Sequence, residues 1–134
     1  MRIERLAVLQ WIGLLLGATT WTVAHLVGIG VTEAECNAAG SELWHLSNPA
    51  WQAPIMVVSA VLIAAAELCA VAVFAQTRGL DFGDGPPLPS EKPERRRTRI
   101  HFFSAAAMVA NAIFLMIVLL DGAANLADIA CRQS

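Results

Sequence analysis

The chain has 134 residues, of which 57% are hydrophobic and 15% are charged, and its mean hydropathy is +0.58. A soluble domain of this size is far less apolar, so these values exclude one and favour a small integral membrane protein. The formal net charge is -2, but eight of the nine Lys and Arg residues lie before the first apolar run or in the region 78–99. This segregation of positive charge is more informative than the sum.

The first predicted span covers residues 6–31, which contain no Asp, Glu, Lys or Arg. About 20 apolar residues cross a hydrocarbon core of about 30 Å as an α-helix, so this run can span the bilayer with some tilt. Arg2 and Arg5 precede the run, and positive charge is held on the inside, so the span begins there. The run is longer than the apolar centre of a signal peptide, and we expect no cleavage.

The second predicted span covers residues 51–76, after an acidic outer loop over residues 32–49. Within this span Glu67 is the only carboxyl group. The span returns to the inside, where we expect residues 77–101 to form a mobile basic loop, because the first part of this segment is rich in Gly and Pro. An early start of the next helix is also open, since nothing after Pro93 breaks helical geometry.

The third predicted span covers residues 102–120, rises to the outside and ends at Asp121 and Gly122. A cationic block precedes it, made of Arg95, Arg96, Arg97 and Arg99. Such a block holds its loop inside, and it also suits anionic lipid headgroups, to which each cation contributes about 1 kcal/mol. Nucleic acid is disfavoured because acidic residues flank the block and no aromatic platform accompanies it. The predicted fold is an all-α integral membrane three-helix bundle, N-terminus in and C-terminus out.

Two of the three cysteines, Cys36 and Cys131, are predicted on the outer face. In an oxidising compartment they could form a disulfide, worth about 3–5 kcal/mol in a chain-entropy treatment, and two free thiols are the alternative. They could in principle ligate copper with His45 or His25, but the spacings match no metal motif. We therefore expect no bound metal.

Glu67 and Asn111 each lie nine residues from the inner end of their span, at a depth of about 13 Å. Equal depth permits a hydrogen bond between them. A carboxyl group in hydrocarbon is costly, so Glu67 is either neutral and hydrogen-bonded within the bundle or paired with another protein. Gly13 and Gly17 form a GxxxG pattern at nearly the same depth, which predicts that the helices cross there. A proton relay through Glu67 is the sharper alternative, but a relay needs a continuous series of groups.

Trp21 and His25 are i, i+4 neighbours near the outer end of the first span. Haem ligation would need paired histidines at one depth on separate spans, and His101 lies at the opposite membrane face. We therefore interpret His25 as an interfacial histidine that bonds to the acidic loop or to a neighbouring subunit, and we expect no cofactor.

Scattered positions along most of the chain also carry a family resemblance. They are Trp21, His25, Cys36, His45, Phe102, Phe103, Asn111, Phe114 and the stretch from Asp121 to Cys131. In this order the chain resembles small three-helix membrane proteins found beside haem-copper (caa3-type) cytochrome oxidases in bacteria. The resemblance implies the bacterial cytoplasmic (inner) membrane and an accessory or assembly role next to an oxidase. The sequence has no motif for a two-copper centre or for haem ligation, which argues against electron transfer by this chain.

The expected function is that of a non-catalytic accessory or assembly subunit, not an enzyme. Its expected partners are the lipid bilayer and a larger membrane complex or further copies of itself. The alternative is a homo-oligomeric small transporter or proton-conducting protein that uses Glu67. A third interpretation is an outer-face thiol or metal handler built from Cys36, Cys131 and His45.

The predicted topology can be tested in a cysteine-free background with Ser90→Cys, five residues before the cationic block, and Ser41→Cys, in the outer loop. A membrane-impermeant thiol reagent should label Ser41→Cys in intact cells and should label Ser90→Cys only after permeabilisation. Labelling of Ser90→Cys in intact cells would overturn the orientation and the placement of Cys36 and Cys131 on the outer face.

Overall fold

The computed structural model describes residues 3–36, 48–78 and 92–126. These residues form three helices, which are α1 (Ile3–Cys36), α2 (Asn48–Thr77) and α3 (Lys92–Leu126). No strand occurs in this part of the chain, and the predicted all-α fold is confirmed.

Each helix contains a segment that is long and apolar enough to cross a membrane. The three segments are Glu4–Ala34, Ala50–Thr77 and Arg95–Ala124. Many large apolar side chains point outward, including Leu15, Leu68 and Leu120, as expected for helices that face lipid. We call the end of the bundle that carries residues 95–99 the arginine end, and the end that carries His25 the histidine end.

Helix α3 is longer at both ends than the third predicted span. It includes residues 92–101, where we expected a loop and left an early helix start open. Pro93 is compatible with this start because it lies in the first turn, where a missing N–H breaks no intrahelical hydrogen bond. It also continues past Gly122, where we predicted its end, and reaches Leu126. Gly122 is buried against Met56, and a Cβ atom at this position would overlap the Met56 side chain. The glycine therefore serves helix packing.

Each helix buries one narrow stripe whose members are three, four or seven residues apart. The stripes comprise Leu6, Gln10, Gly13 and Gly17 on α1, Ser59, Ile63, Ala66, Ala70, Val73 and Thr77 on α2, and Ile100, Ser104, Ala107, Asn111 and Val118 on α3. A mean spacing of 3.5 residues is the pattern that keeps a seam facing its neighbours in left-handed helix packing. Most members are small, so the helix backbones approach closely.

Polar contacts join α2 to a different neighbour at each end of the bundle. At the histidine end, Gln52 Nε2 donates hydrogen bonds to Gly28 O of α1 at 3.3 Å and to Thr32 Oγ1 at 3.4 Å. At the arginine end, Thr77 Oγ1 lies 2.7 Å from His101 Nδ1 of α3. These contacts fix the ends of the three helices relative to one another.

Candidate functional site

A buried polar cluster in the middle of the bundle is centred on Asn111 of α3, which is 1% exposed. Its Nδ2 donates a hydrogen bond of 2.9 Å to Gly13 O on α1. A carbonyl oxygen has two lone pairs, so Gly13 O can accept this bond in addition to its bond within the helix. The contact joins residues 98 positions apart in the chain and ties α3 to α1.

Glu67 brings α2 into this cluster, since its carboxyl group lies beside the Asn111 side chain. An amide NH2 has two donors, so Asn111 can serve Gly13 O and Glu67 together. Oε2 of Glu67 and Oδ1 of Asn111 are buried and have no hydrogen-bond partner among the described residues. Unpaired acceptors are costly in an apolar interior, and a proton on the carboxyl group would supply one donor.

The two glycines of the GxxxG pattern contact different helices at this level. A Cβ atom at Gly13 would lie 3.1 Å from Ala70 N and 3.3 Å from Ala66 O, both on α2. A Cβ atom at Gly17 would overlap Asn111 Oδ1 of α3. Because both positions lack a side chain, α1 can approach α2 and α3 closely enough for the polar cluster to form.

The aromatic and ionic contacts near the histidine end form a second group. The Trp21 ring stacks on His25 with centroids 5.6 Å apart and on Phe114 of α3 at 5.4 Å. His25 Nδ1 lies 3.7 Å from Asp121 Oδ2, and both side chains are about half exposed. A pair this accessible contributes at most about 1 kcal/mol.

Sequence analysis treated Asp121 only as the end of a span and missed its position opposite His25. A signal existed, because α1 and α3 run in the same direction from the arginine end. His25 lies twelve residues beyond Gly13, and Asp121 lies ten residues beyond Asn111. At about 1.5 Å per residue the two side chains lie at similar heights above the Asn111 to Gly13 hydrogen bond.

The arginines of the cationic block have different surroundings. Arg96 and Arg99 line a small pocket with Gln10 of α1. Arg97 Nη2 instead donates to Gln76 O at 3.1 Å, and Arg95 is exposed to the outside of the bundle. Within the cationic block, Arg96 and Arg99 therefore line the pocket, whereas Arg95 and Arg97 do not.

A lateral groove of about 530 Å³ lies between α1 and α2, towards the histidine end. Its apolar lining includes Val23, Ala24 and Val27 of α1 and Ile55, Val58 and Leu62 of α2. Its hydroxyl groups are those of Thr19, Thr20 and Ser59. Thr19 donates to Leu15 O in its own helix at 2.8 Å, whereas within the described residues Thr20 and Ser59 make no side-chain hydrogen bond. The groove was not predicted from the sequence.

Three predicted site features lie outside the described residues. These are His45, Cys131 and the side chain of Cys36, so the proposed disulfide stays a prediction. The thiol of Cys69 is partly buried and free. Within the described residues, no group of three or more His, Cys, Asp or Glu side chains is placed to hold a metal ion.

Comparison with known protein families, with curated proteins and with solved structures finds no match to this chain. The fold defines a three-helix membrane protein. The resemblance to proteins found beside haem-copper oxidases stays a prediction.

The packing of Gly17 against Asn111 can be tested with Gly17→Ala and the control Gly30→Ala. The added methyl group at position 17 must displace the Asn111 amide, which should destabilise the bundle by about 2 kcal/mol. Among the described residues nothing lies within 4 Å of a Cβ atom at Gly30, so Gly30→Ala should be neutral or stabilising by up to about 1 kcal/mol.

The measurement for this pair is thermal unfolding in detergent, followed by the loss of the monodisperse peak in size-exclusion chromatography. Equal melting temperatures for Gly17→Ala and Gly30→Ala would contradict the described packing of α1 against α3.

Proposed function

We propose that this chain is a non-catalytic accessory or assembly subunit that docks within the membrane against a larger protein complex. The observation that supports the proposal is the lateral groove between α1 and α2. It opens towards the bilayer, and in the described part of the chain no other element covers it. A surface of this kind suits a protein whose function is to bind another membrane protein.

The two unbonded hydroxyl groups favour a polypeptide over a lipid acyl chain as the occupant of the groove. Ser59 is 5% exposed, and it and Thr20 line the groove without a hydrogen bond to any described residue. An acyl chain offers no hydrogen-bond acceptor, whereas a helix rich in small residues presents carbonyl and hydroxyl oxygens at its surface. We therefore take the occupant to be a transmembrane helix of the partner.

The size of the groove is compatible with this occupant. Its lining on α2 extends over twelve residues, from Trp51 to Leu62, a rise of about 16 Å along the helix axis. That length matches three turns of a docked helix. It lies within one half of the membrane-crossing segment Ala50–Thr77, so contact with the partner would be concentrated near the histidine end.

The resemblance described above supplies the candidate partner, a haem-copper respiratory oxidase in a bacterial inner membrane. Under this proposal the chain carries no electrons and performs no reaction. It contributes a binding face for assembly or stability of the complex. The polar cluster around Asn111 stabilises the helix arrangement that forms this face.

The proposal can be tested by site-specific photo-cross-linking in native membranes. A benzophenone amino acid at Val58, inside the groove and 57% exposed, should form one discrete adduct with a larger membrane protein. The matched control is Val109 on α3, which is 63% exposed and lies outside the groove. It should give no discrete protein adduct.

Adding volume to the groove provides a second arm of this test. Ala24→Leu should abolish the Val58 adduct because it fills the groove, whereas Ala106→Leu on an exposed face of α3 should leave the adduct unchanged. Mass spectrometry identifies the partner. An adduct only with a second copy of the chain, or an adduct that persists in Ala24→Leu, would contradict the proposal.

The proton-conducting alternative is favoured by one observation, the two unpaired acceptors Oε2 of Glu67 and Oδ1 of Asn111. A path from this cluster to a membrane surface needs further groups within hydrogen-bonding distance. Towards the arginine end, Gln10 of α1 is the nearest buried polar residue but makes no hydrogen bond to any described residue, and the next on α3 is Ser104, seven residues or about 10 Å from Asn111 along the helix axis. That distance exceeds the reach of one hydrogen bond, which makes the subunit proposal the stronger of the two.

Proteoliposomes carrying a pH-sensitive dye separate the two functions. On the subunit proposal, the purified chain should conduct no more protons under a pH gradient than empty vesicles do. Proton flux that is abolished in Glu67→Gln and retained in Glu4→Gln, a carboxyl group at the arginine end outside the cluster, would establish the alternative instead.

A further inference from the structure

We propose that Arg96 and Arg99 of α3, together with Gln10 of α1, bind the phosphate group of an anionic phospholipid in the leaflet at the arginine end. The three side chains line a concave pocket of about 110 Å³ between the two helices. The pocket suits a phosphate group and is too small for an acyl chain, which would remain in the bilayer. This inference is independent of the proposed subunit function.

The pocket is built from two matching helix faces. Arg96, Arg99 and Ile100 have i, i+3, i+4 spacing on α3, and Ala7, Gln10 and Trp11 have the same spacing on α1. Residues with this spacing share one face of a helix. The small side chain of Ala7 leaves space between the two faces, and the longer side chains form the walls.

Gln10 is the feature of the pocket that helix packing alone does not explain. It is 5% exposed, and its amide makes no hydrogen bond to any described residue. The fully buried side-chain atoms without a partner among the described residues are Glu67 Oε2 and Asn111 Oδ1. The Gln10 amide is not one of them, so its N–H is open to a hydrogen-bond acceptor in the pocket. An anionic oxygen in the pocket would be such an acceptor.

The charges around the pocket favour an anion. Among the described residues no carboxylate lies within ion-pairing distance of Arg96 or Arg99. Two guanidinium groups can bind a phosphate through several parallel hydrogen bonds. The other arginines of the block contribute less, because Arg97 is engaged with Gln76 O and Arg95 does not line the pocket.

The position of the pocket favours a lipid phosphate over a free one. It lies where the membrane-crossing segments Glu4–Ala34 and Arg95–Ala124 begin, which is the level of the headgroups. Trp11 at the pocket is 51% exposed, and an amphipathic indole favours this layer. Phospholipid phosphate is concentrated there, whereas free phosphate would have to come from solution.

The test uses the full chain, purified in a neutral detergent and titrated with phosphatidylglycerol or phosphatidylcholine, with bound lipid counted by native mass spectrometry. The wild-type chain should retain phosphatidylglycerol in preference to phosphatidylcholine. Arg96→Gln/Arg99→Gln should weaken phosphatidylglycerol binding about thirtyfold, since each cation near a headgroup contributes about a factor of five.

The charge-matched control is Arg95→Gln/Arg97→Gln, which removes the same charge outside the pocket and should weaken binding by less than about threefold, because salt screens charges that do not contact the phosphate. Gln10→Leu leaves every charge in place and should weaken binding about fivefold, the effect of one hydrogen bond. Circular dichroism checks that each variant remains helical.

Three results would overturn the assignment. Equal losses in the two arginine pairs would show diffuse attraction to the whole block. Undiminished phosphatidylglycerol binding in Gln10→Leu would show that the Gln10 amide is not part of the site. Displacement of the bound lipid by inorganic phosphate, without a preference for phosphatidylglycerol over phosphatidylcholine, would identify a site for the free anion.

Discussion

The hydrogen bond from Asn111 to Gly13 O is the contact on which the arrangement of this bundle depends. In a bilayer, the surroundings of a helix are as apolar as its neighbours, so burial of apolar surface gives little preference for one arrangement over another. Close backbone packing and polar contacts have to supply that preference. Asn111 reaches the Gly13 carbonyl because the missing side chains at Gly13 and Gly17 expose the α1 backbone. Glu67 of α2 lies beside the same Asn111 side chain, so the polar cluster includes residues of all three helices.

Each pair of helices is joined by a polar contact at a different height. Gln52 joins α2 to α1 at the histidine end, the Thr77 to His101 contact joins α2 to α3 at the arginine end, and Asn111 joins α3 to α1 between them. Together these contacts limit both sliding and tilting of the helices. The groove occurs between α1 and α2, in the interval between the level of Gln52 and the polar cluster. The groove and the interhelical hydrogen bonds therefore lie at different heights in the bundle.

Much of the fold followed from the sequence, because uninterrupted apolar runs predict membrane spans whatever their partners are. Counting residues from the ends of those runs could also assign Glu67 and Asn111 to one depth, since a helix rises by a constant amount per residue. At residues 92–101 hydropathy favoured a loop, whereas the alternative of an early helix start, which was also left open, is the one found in the structure. The charge of these residues lowers hydropathy, but Arg and Lys are good helix formers, so the helix extends beyond the bilayer segment. Hydropathy indicates whether a segment lies in lipid or in water, whereas helix propensity indicates whether its backbone forms a helix.

Other features could not be predicted, because they depend on how each helix is rotated about its axis. The pattern of apolar residues leaves that rotation undetermined when almost every side chain of a span is apolar. Thus it could not be predicted that Arg96 and Arg99 line a pocket while Arg95 and Arg97 do not, because this depends on the position of α1. The similar heights of His25 and Asp121 could be estimated by counting residues, but their contact required the rotation of α1 and α3 that brings the two side chains together.

The continuity of α3 has a mechanical consequence. Its 35 residues correspond to a rod of about 52 Å, whereas the hydrocarbon layer is about 30 Å thick. From Arg95 to Asn111 the rod contains no Pro or Gly at which it could hinge. A sideways force on the guanidinium groups is therefore transmitted as a torque along α3 to the bundle interior. A bound headgroup or a change in bilayer thickness would thus act on the whole helix.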